Sequence, residues 1–400
     1  MLERLIFPNF FEILTVSGAL AAWALLCWLA APAVSQASPT LHLLVPLLLA
    51  LLIWGPARRA ERRPATSRNA ERAGNVILAT AFVALACAAA LAVAAGLWAL
   101  GRLPGALRAE AMVAANVADD ILYGPGFRVF AEAVLAFTAG TLVYGYVRGH
   151  RRLEITRLTV ELSGLPAEAP GLRVVHVSDL HLGPRADRAA LRTAIDRVLA
   201  IEPDLVCITG DIVDSPATDL EAWMPELTRL TARHGVFAIL GNHDRFTGAD
   251  AVTRALRRWT TWRILRDEVA VVRVGTAALH LLGLEDRADA VAPRLAALCA
   301  QVPEGAAMVL LAHHPDVFQD ALAAGVPLTL AGHTHGGQIA PPGLPHVNVA
   351  RLLVSRFDSG TFTRAGRHLH VNRGLGTSGQ PVRVGVPAEI TTLSLVAPAA

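Results

Sequence analysis

Residues 172–181, LRVVHVSDLH, decide how the second half of this chain is read. The run 172–178 is mainly apolar and has the length of a buried strand. It breaks at Asp179, and His181 follows two positions later. The same switch recurs four times further on. The run 205–209 ends at Gly210-Asp211-Ile212-Val213-Asp214, and 236–240 ends at Gly241-Asn242-His243-Asp244. The run 308–312 ends at His313-His314, and 328–331 ends at Gly332-His333-Thr334-His335. Residues 186–200 and 219–232 carry apolar positions at helical spacing, and 269–274 and 279–282 read as further strands. Strands alternating with amphipathic helices predict an α/β domain over residues 151–400. Every polar island falls just beyond the carboxyl end of a strand, where open α/β sheets place their ligands.

Asp and His bind hard and borderline divalent cations through carboxylate oxygen and imidazole nitrogen. A Gly-Asp turn after a strand is by itself usually only a turn, and a lone His there is more often structural than a ligand. Five such islands in this order leave little room for that bland explanation. Their neighbours read differently. His314 precedes Pro315 and is expected to point away from any metal, and His176 lies inside a strand and should be packed. His368 and His370 alternate along one strand, which suggests surface or edge positions. Arg373 and Arg383 read equally as phosphate contacts or as surface charges, so neither is assigned to the core site.

The first 150 residues have a different character. The whole chain is 53% hydrophobic and only 17% charged, too apolar for an ordinary soluble protein, and the excess lies here. A bilayer core needs roughly 20 apolar residues in a helix. The stretches 10–34, 41–54, 76–100 and 129–147 come close to that length, so an all-α bundle of about four transmembrane helices is expected over 1–150. Arg58, Arg59, Arg62, Arg63, Arg68 and Arg72 fill the loop between the second and third stretches, and Arg148, Arg151 and Arg152 follow the fourth. Basic short loops stay in the cytoplasm. That places the chain in the inner (cytoplasmic) membrane as a multi-pass protein, with the α/β domain facing the cytoplasm and the lipid bilayer as a partner. A net charge of +3, with every basic residue an Arg, gives no reason to expect nucleic acid. Cys27, Cys87, Cys207 and Cys299 are scattered, without CxxC pairing, and suggest neither a disulfide framework nor a thiolate site.

The islands D-x-H, G-D-x-x-D, G-N-H-D, H and G-H-x-H, in this order, resemble those of the calcineurin-like metallophosphoesterases. The similarity covers about 153–396. Gly332-His333-Thr334-His335-Gly336-Gly337-Gln338 and Asn372-Arg373-Gly374-Leu375-Gly376 look like the membrane-associated bacterial branch. Some members of that branch resemble UDP-diacylglucosamine pyrophosphatases. The resemblance implies two mixed β-sheets sandwiched between helices, and a site for two divalent metal ions. Asp179, His181 and His335 would hold one ion, Asn242, His313 and His333 the other, and Asp211 would bridge them. This set of oxygen and nitrogen ligands suits Mn, Fe or Zn. The implied activity is hydrolysis of a phosphomonoester, phosphodiester or pyrophosphate bond by metal-activated hydroxide, on a substrate that an anchored enzyme would draw from the lipid. A broad phosphodiesterase for soluble substrates is the alternative, and a non-catalytic scaffold or metal-dependent sensor is a third. His243 would face the leaving group as general acid, with Asp214 orienting its imidazole.

Overall fold

The computed structural model describes Cys87 and residues 125–166, 171–216, 218–275, 277–287 and 289–398. The expected spans 10–34, 41–54 and 76–100 lie outside these residues, Cys87 aside. The chain divides into two compact units, Met1–Tyr144 and Gly145–Ala400. In the region of the fourth expected span a single helix, α1 (Pro125–Val147), runs for 23 residues. It is long and apolar enough to cross a membrane by length and composition.

The second unit contains two six-stranded sheets. The first is built from β1 (Leu153–Glu161), β2 (Leu172–Val177), β3 (Leu205–Thr209), β4 (Val236–Ile239), β5 (Arg263–Ile264) and β12 (Ala388–Val396), in the order β1-β12-β2-β3-β4-β5. The second comprises β6 (Glu268–Val274), β7 (Ala277–Gly283), β8 (Ala307–Leu311), β9 (Leu328–Ala331), β10 (Gly360–Arg364) and β11 (Arg367–Val371), in the order β10-β11-β9-β8-β7-β6. Both sheets are mixed. β2 through β5 run parallel and β12 opposes β2, while β7, β8, β9 and β11 run parallel between antiparallel β6 and β10.

Alternation along each strand explains why the runs are apolar throughout. In β3, Leu205 and Cys207 face the other sheet and pack with Leu279, Leu281, Val309 and Leu330. Val206 and Ile208 face outward, where Leu191, Ile195 and Val198 of α2 (Arg188–Ala200) and Val252 and Leu256 of α4 (Asn242–Trp259) cover them. The outer face of the second sheet is covered by α5 (Val291–Cys299) and α6 (Phe318–Ala323) through Leu295, Leu298 and Phe318. The expected pair of mixed sheets between helices is therefore present.

Two local expectations need correction. The expected helix 219–232 is only a single turn at Glu221–Trp223 followed by α3 (Met224–Leu227). Pro225 is tolerated only in a first turn, and the Thr228 hydroxyl donates to the Met224 carbonyl at 2.9 Å, which competes with the helix ladder. His370 is not at a surface or edge, because β11 is paired on both sides. It is buried, with Nε2 2.8 Å from the Thr391 hydroxyl, whereas His368 is half-buried beside Thr363.

Candidate metal centre

The five strand ends converge. Asp179 and His181 follow β2, Asp211 follows β3, and Asn242 and His243 open α4 directly beyond β4. His313 follows β8, and His333 and His335 follow β9. Three groups of acid and imidazole ligand atoms result, each with its atoms within 4.8 Å of one another: Asp179, His181 and His335; His181, Asp211 and His243; Asp211, His313 and His333. On one side His181 Nε2 lies 2.9 Å from His335 Nε2 and 3.6 Å from Asp211 Oδ2. His335 Nε2 lies 3.4 Å from Asp179 Oδ1. On the other side His313 Nε2 lies 3.3 Å from Asp211 Oδ2 and 3.0 Å from Asn242 Oδ1. Asp211 stands between the two clusters.

The donor set fits divalent cations, and the atoms behind the ligands show why. His313 Nδ1 donates to the Thr209 carbonyl at 2.7 Å, and His181 Nδ1 lies 3.3 Å from Asp214 Oδ1. A carbonyl or carboxylate on Nδ1 fixes the ring and turns Nε2 toward the metal position. The backbone is strained at the same residues. Among the described residues ten non-glycines have positive φ, and five of them are Asp179, His181, Asp211, His333 and His335. Such conformations persist only where the surroundings enforce them. Here the main chain does so: Asp179 N–H donates to the Gly210 carbonyl at 3.0 Å, His181 N–H to Asp211 at 3.0 Å, and Gly376 N–H to Asp179 at 2.7 Å. Gly241 and Gly332 permit this close approach, because a Cβ at Gly241 would collide with the Asp211 carboxylate and one at Gly332 with Ser178 and Asp179.

Charge is divided unevenly across the site. Burial alone would raise the Asp211 carboxyl, but His313, His243 and His181 outweigh it and hold the group well below the usual carboxylate range. Burial would lower His313, yet the Asp211 charge and hydrogen bond raise it well above an ordinary imidazole. His335 goes the other way, driven down by burial and then by the charges of His181 and Arg383. Asp179 is raised, chiefly by burial. Asp244 is fully buried and accepts from the N–H groups of Gly241 at 2.9 Å, Val213 at 2.9 Å and Ile212 at 3.2 Å. Burial and the neighbouring Asp211 push its carboxyl up to about 7 against the pull of those donors.

His243 stands at the rim. Its side chain is 19% exposed, against 1% for His181 and 0% for His313. Its Nδ1 lies 2.6 Å from the main-chain carbonyl of Asp214, so that nitrogen is the donor. The Asp214 carboxylate is 3.9 Å from His243 and is engaged instead by His181 Nδ1 and by Arg185 at 3.1 Å.

Several residues were misjudged or missed from sequence. His314 stacks its ring 3.7 Å from that of His333 and puts its Nε2 3.4 Å from Asp286, outside the three ligand groups. His176 is packed, as expected, with Nε2 2.9 Å from the Thr209 hydroxyl. Arg373 and Arg383 are not surface charges. Arg373 pairs with Glu389 at 3.0 Å and Glu154 at 3.2 Å. Arg383 is 1% exposed and donates to the carbonyls of Arg373 at 2.7 Å, Gly374 at 3.1 Å and Gly376 at 2.6 Å, with Nη2 3.5 Å from His335 Nδ1. Asn372 lies beside them, donating to Thr391 at 3.0 Å and the His176 carbonyl at 3.2 Å. The Asn372-to-Gly376 stretch is thus the scaffold behind the first ligand turn. Its glycines and paired Arg were the only sequence signal for that role.

Comparison with known proteins agrees with this geometry. A model of the family described as calcineurin-like phosphoesterase matches residues 172–337. The chain is 31% identical over 270 residues to the uncharacterized metallophosphoesterase YkuE of Bacillus subtilis (strain 168), covering 66% of this chain and 93% of that one. An uncharacterized metallophosphoesterase of Campylobacter jejuni is 29% identical over 285 residues, covering 69% of this chain and 72% of its own length. A Bos taurus protein named "Transmembrane protein with metallophosphoesterase domain" is 30% identical over 318 residues, covering 75% of this chain and 67% of its own.

Proposed function

This chain belongs to the calcineurin-like phosphoesterase family, and from that premise we propose a membrane-anchored hydrolase that uses two metals to cleave a phosphoester or phosphoanhydride bond of an amphiphilic substrate. The observation that carries the reading is Asp211, whose Oδ2 lies 3.6 Å from His181 Nε2 in one cluster and 3.3 Å from His313 Nε2 in the other. Only a carboxylate or a water readily spans two cations about 3.5–4 Å apart.

Asp179, His181 and His335 would hold the first cation, and Asn242, His313 and His333 the second, with Asp211 common to both. Two divalent cations of the Mn, Fe or Zn type would supply Lewis acidity, neutralising phosphate oxygens and making a nucleophile of water near neutral pH. Asp211 contributes a carboxylate kept ionised by its three histidines. His335, kept neutral by burial and nearby positive charge, offers a free lone pair without losing a proton. His243 has Nδ1 committed to the Asp214 carbonyl, which leaves Nε2 to deliver a proton to the departing oxygen from the rim of the site. Asp214 acts as a positioning residue, through its carbonyl on His243 and its carboxylate on His181.

Anchoring is supported by the apolar stretches of the first 150 residues and by helix α1. The match to the Bos taurus protein covers a larger share of this chain than the Gly145–Ala400 unit makes up, so it reaches into the apolar region. The basic residues of 58–72 and 148–152 orient that region with the phosphoesterase unit in the cytoplasm. The deciding experiment assays the full chain in nanodiscs with Mn, Fe or Zn. Lipid-linked phosphoesters are compared with a soluble aryl phosphodiester. Metal-dependent turnover abolished by a chelator, and higher on the lipid, is the expected result. Higher turnover on the soluble ester would replace the amphiphile with a soluble substrate. No hydrolysis, with partner binding that changes with metal, would replace the enzyme with a sensor.

A further inference from the structure

Beside the metal centre lies a cleft of about 320 Å³ whose walls include His181 and Asp214 together with His150 and Arg151. The volume is within the range of small-molecule sites. Most of the remaining wall is aliphatic, formed by Leu153, Leu180, Ala186, Ala190, Leu375 and Pro381. Leu153, Ala186 and Leu375 are only partly buried against the helix-side core, so their remaining surface faces the cleft. Alanines dominate the α2 side of the cleft, where larger side chains would fill it. The larger part of the exposed wall is apolar because of the residue types at these positions and not because the cleft is closed.

The polar groups on the wall neutralise one another. Arg151 Nε bonds Asp187 Oδ2 at 2.7 Å, and Arg185 pairs with Asp214 at 3.1 Å. Both cations at the cleft are therefore matched by carboxylates, and a second phosphate would gain little there. No Phe, Tyr or Trp is among the lining residues, so a nucleobase would lack the large aromatic face on which it stacks best. What such a wall accepts is an aliphatic chain. The position agrees: His150 and Arg151 follow the last residue of α1 by three and four positions, and His181 is an expected metal ligand. A chain lying in this cleft would have its phosphate at the candidate metal site and its tail along the wall that carries His150 and Arg151, residues that follow α1 in sequence.

We propose that this cleft binds one aliphatic chain of an amphiphilic phosphoester, and that it sets the specificity of the same metal site. The inference rests on the phosphoesterase reading above for the head group, and on the cleft alone for the tail. Burial of each methylene should tighten binding roughly threefold to fourfold until the cleft is full. The test measures affinity of the metal-loaded full chain in nanodiscs for butylphosphonate and octylphosphonate by calorimetry. Wild type is compared with Ala190→Trp, and with the milder Ala186→Leu in case the larger side chain prevents folding. The expected octyl-to-butyl affinity ratio is at least tenfold in wild type and falls several-fold in either folded variant. An unchanged ratio in both variants would overturn the proposal, because the preference would then come from the bilayer. Octyl preference in a chain that hydrolyses no phosphoester would overturn the catalytic reading and leave the cleft in place. Hydrolysis with no chain-length preference would do the reverse.

Discussion

Removing the Asp244 carboxylate should loosen both halves of the site at once, although Asp244 is not an expected ligand. Its two oxygens accept from Gly241, Ile212 and Val213, residues that flank Asn242 and Asp211, and the side chain is 0% exposed. Asp244→Ala leaves three N–H groups without an acceptor where water does not reach. One such group costs about 1–3 kcal/mol. Three on adjacent turns do not add fully, and removing an acid that burial already disfavours returns part of the loss. A net destabilisation of about 2–4 kcal/mol follows, at the upper end for single substitutions. Asp244→Asn keeps one oxygen, which can face Gly241 and Ile212 while the amide nitrogen meets the Val213 N–H. One donor is then stranded, at about 1–2 kcal/mol. For a unit of this size each kcal/mol moves Tm by about 2–4 °C, so Ala should melt roughly 4–16 °C below wild type and Asn clearly less. The assay is thermal unfolding of the metal-free chain followed by tryptophan fluorescence, with metal content measured on the same preparations. Metal occupancy should fall in Ala and mostly survive in Asn. An Ala variant within 0.5 kcal/mol of wild type, or an Asn variant less stable than Ala, would refute the account.

Other outcomes follow from the same geometry. Asp211→Ala and His335→Ala should lose both metal and turnover, whereas His243→Ala should keep most of its metal and lose turnover, as read by metal analysis alongside hydrolysis. Loss of metal from His243→Ala would make His243 a ligand. Metal loading should release protons, because burial fails to keep His313 and His181 neutral against Asp211 and Asp214, and both imidazoles are raised. Each displaced proton weakens apparent affinity about tenfold per pH unit below the raised values, so titrations in buffers of different ionisation enthalpy should show proton release at pH 6.5 that shrinks as pH rises through the raised values. In the metal-free protein the raised His313 stabilises below its unfolded pKa and the depressed Asp211 above its own, so this pair favours the fold most between about pH 4 and 6.5. Arg383→Met should cost roughly 3–5 kcal/mol by urea unfolding, since the carbonyls of Arg373, Gly374 and Gly376 lose their donor. Protease added outside intact cells should spare the Gly145–Ala400 unit; its digestion would reverse the orientation.

The candidate ligands were legible because each stands where an apolar strand stops, a pattern set by local residue order alone. What joins them was not. Asp244 was visible as part of an island, but its partners are backbone N–H groups, which no residue type announces. Helix α4 starts at Asn242 itself, and the break at Gly248, with φ of +115°, hides its period behind the metal-liking residues. The β1–β12 pair joins residues 153–161 to 388–396, and no local signal specifies so distant a register. His370 looked like an edge position because alternation gives a face and not the number of neighbouring strands. Arg383 read equally as a phosphate contact or a surface charge, because Arg is mostly found at surfaces or on anions; here a cluster of carbonyls takes the place of solvent.

The strain at the ligands bears on when the site is formed. Asp179, His181, Asp211, His333 and His335 all have φ between 43° and 71°. Non-glycine residues held there cost about 1–3 kcal/mol each. A site that assembled only on metal binding would have to meet that cost from the binding energy, and its affinity would fall accordingly. Here main-chain hydrogen bonds from Asp179, His181 and Gly376, together with the close approach at Gly241 and Gly332, support these conformations from behind the candidate ligand atoms. Both Nδ1 anchors, Thr209 behind His313 and Asp214 behind His181, are in place as well. Contacts of this kind let folding of the sandwich meet the cost, and the expectation is that the cations would enter a cage that the fold itself supports. Removal of metal should then abolish turnover while leaving the far-ultraviolet circular dichroism unchanged. Unfolding upon chelation would instead make the metals part of the core.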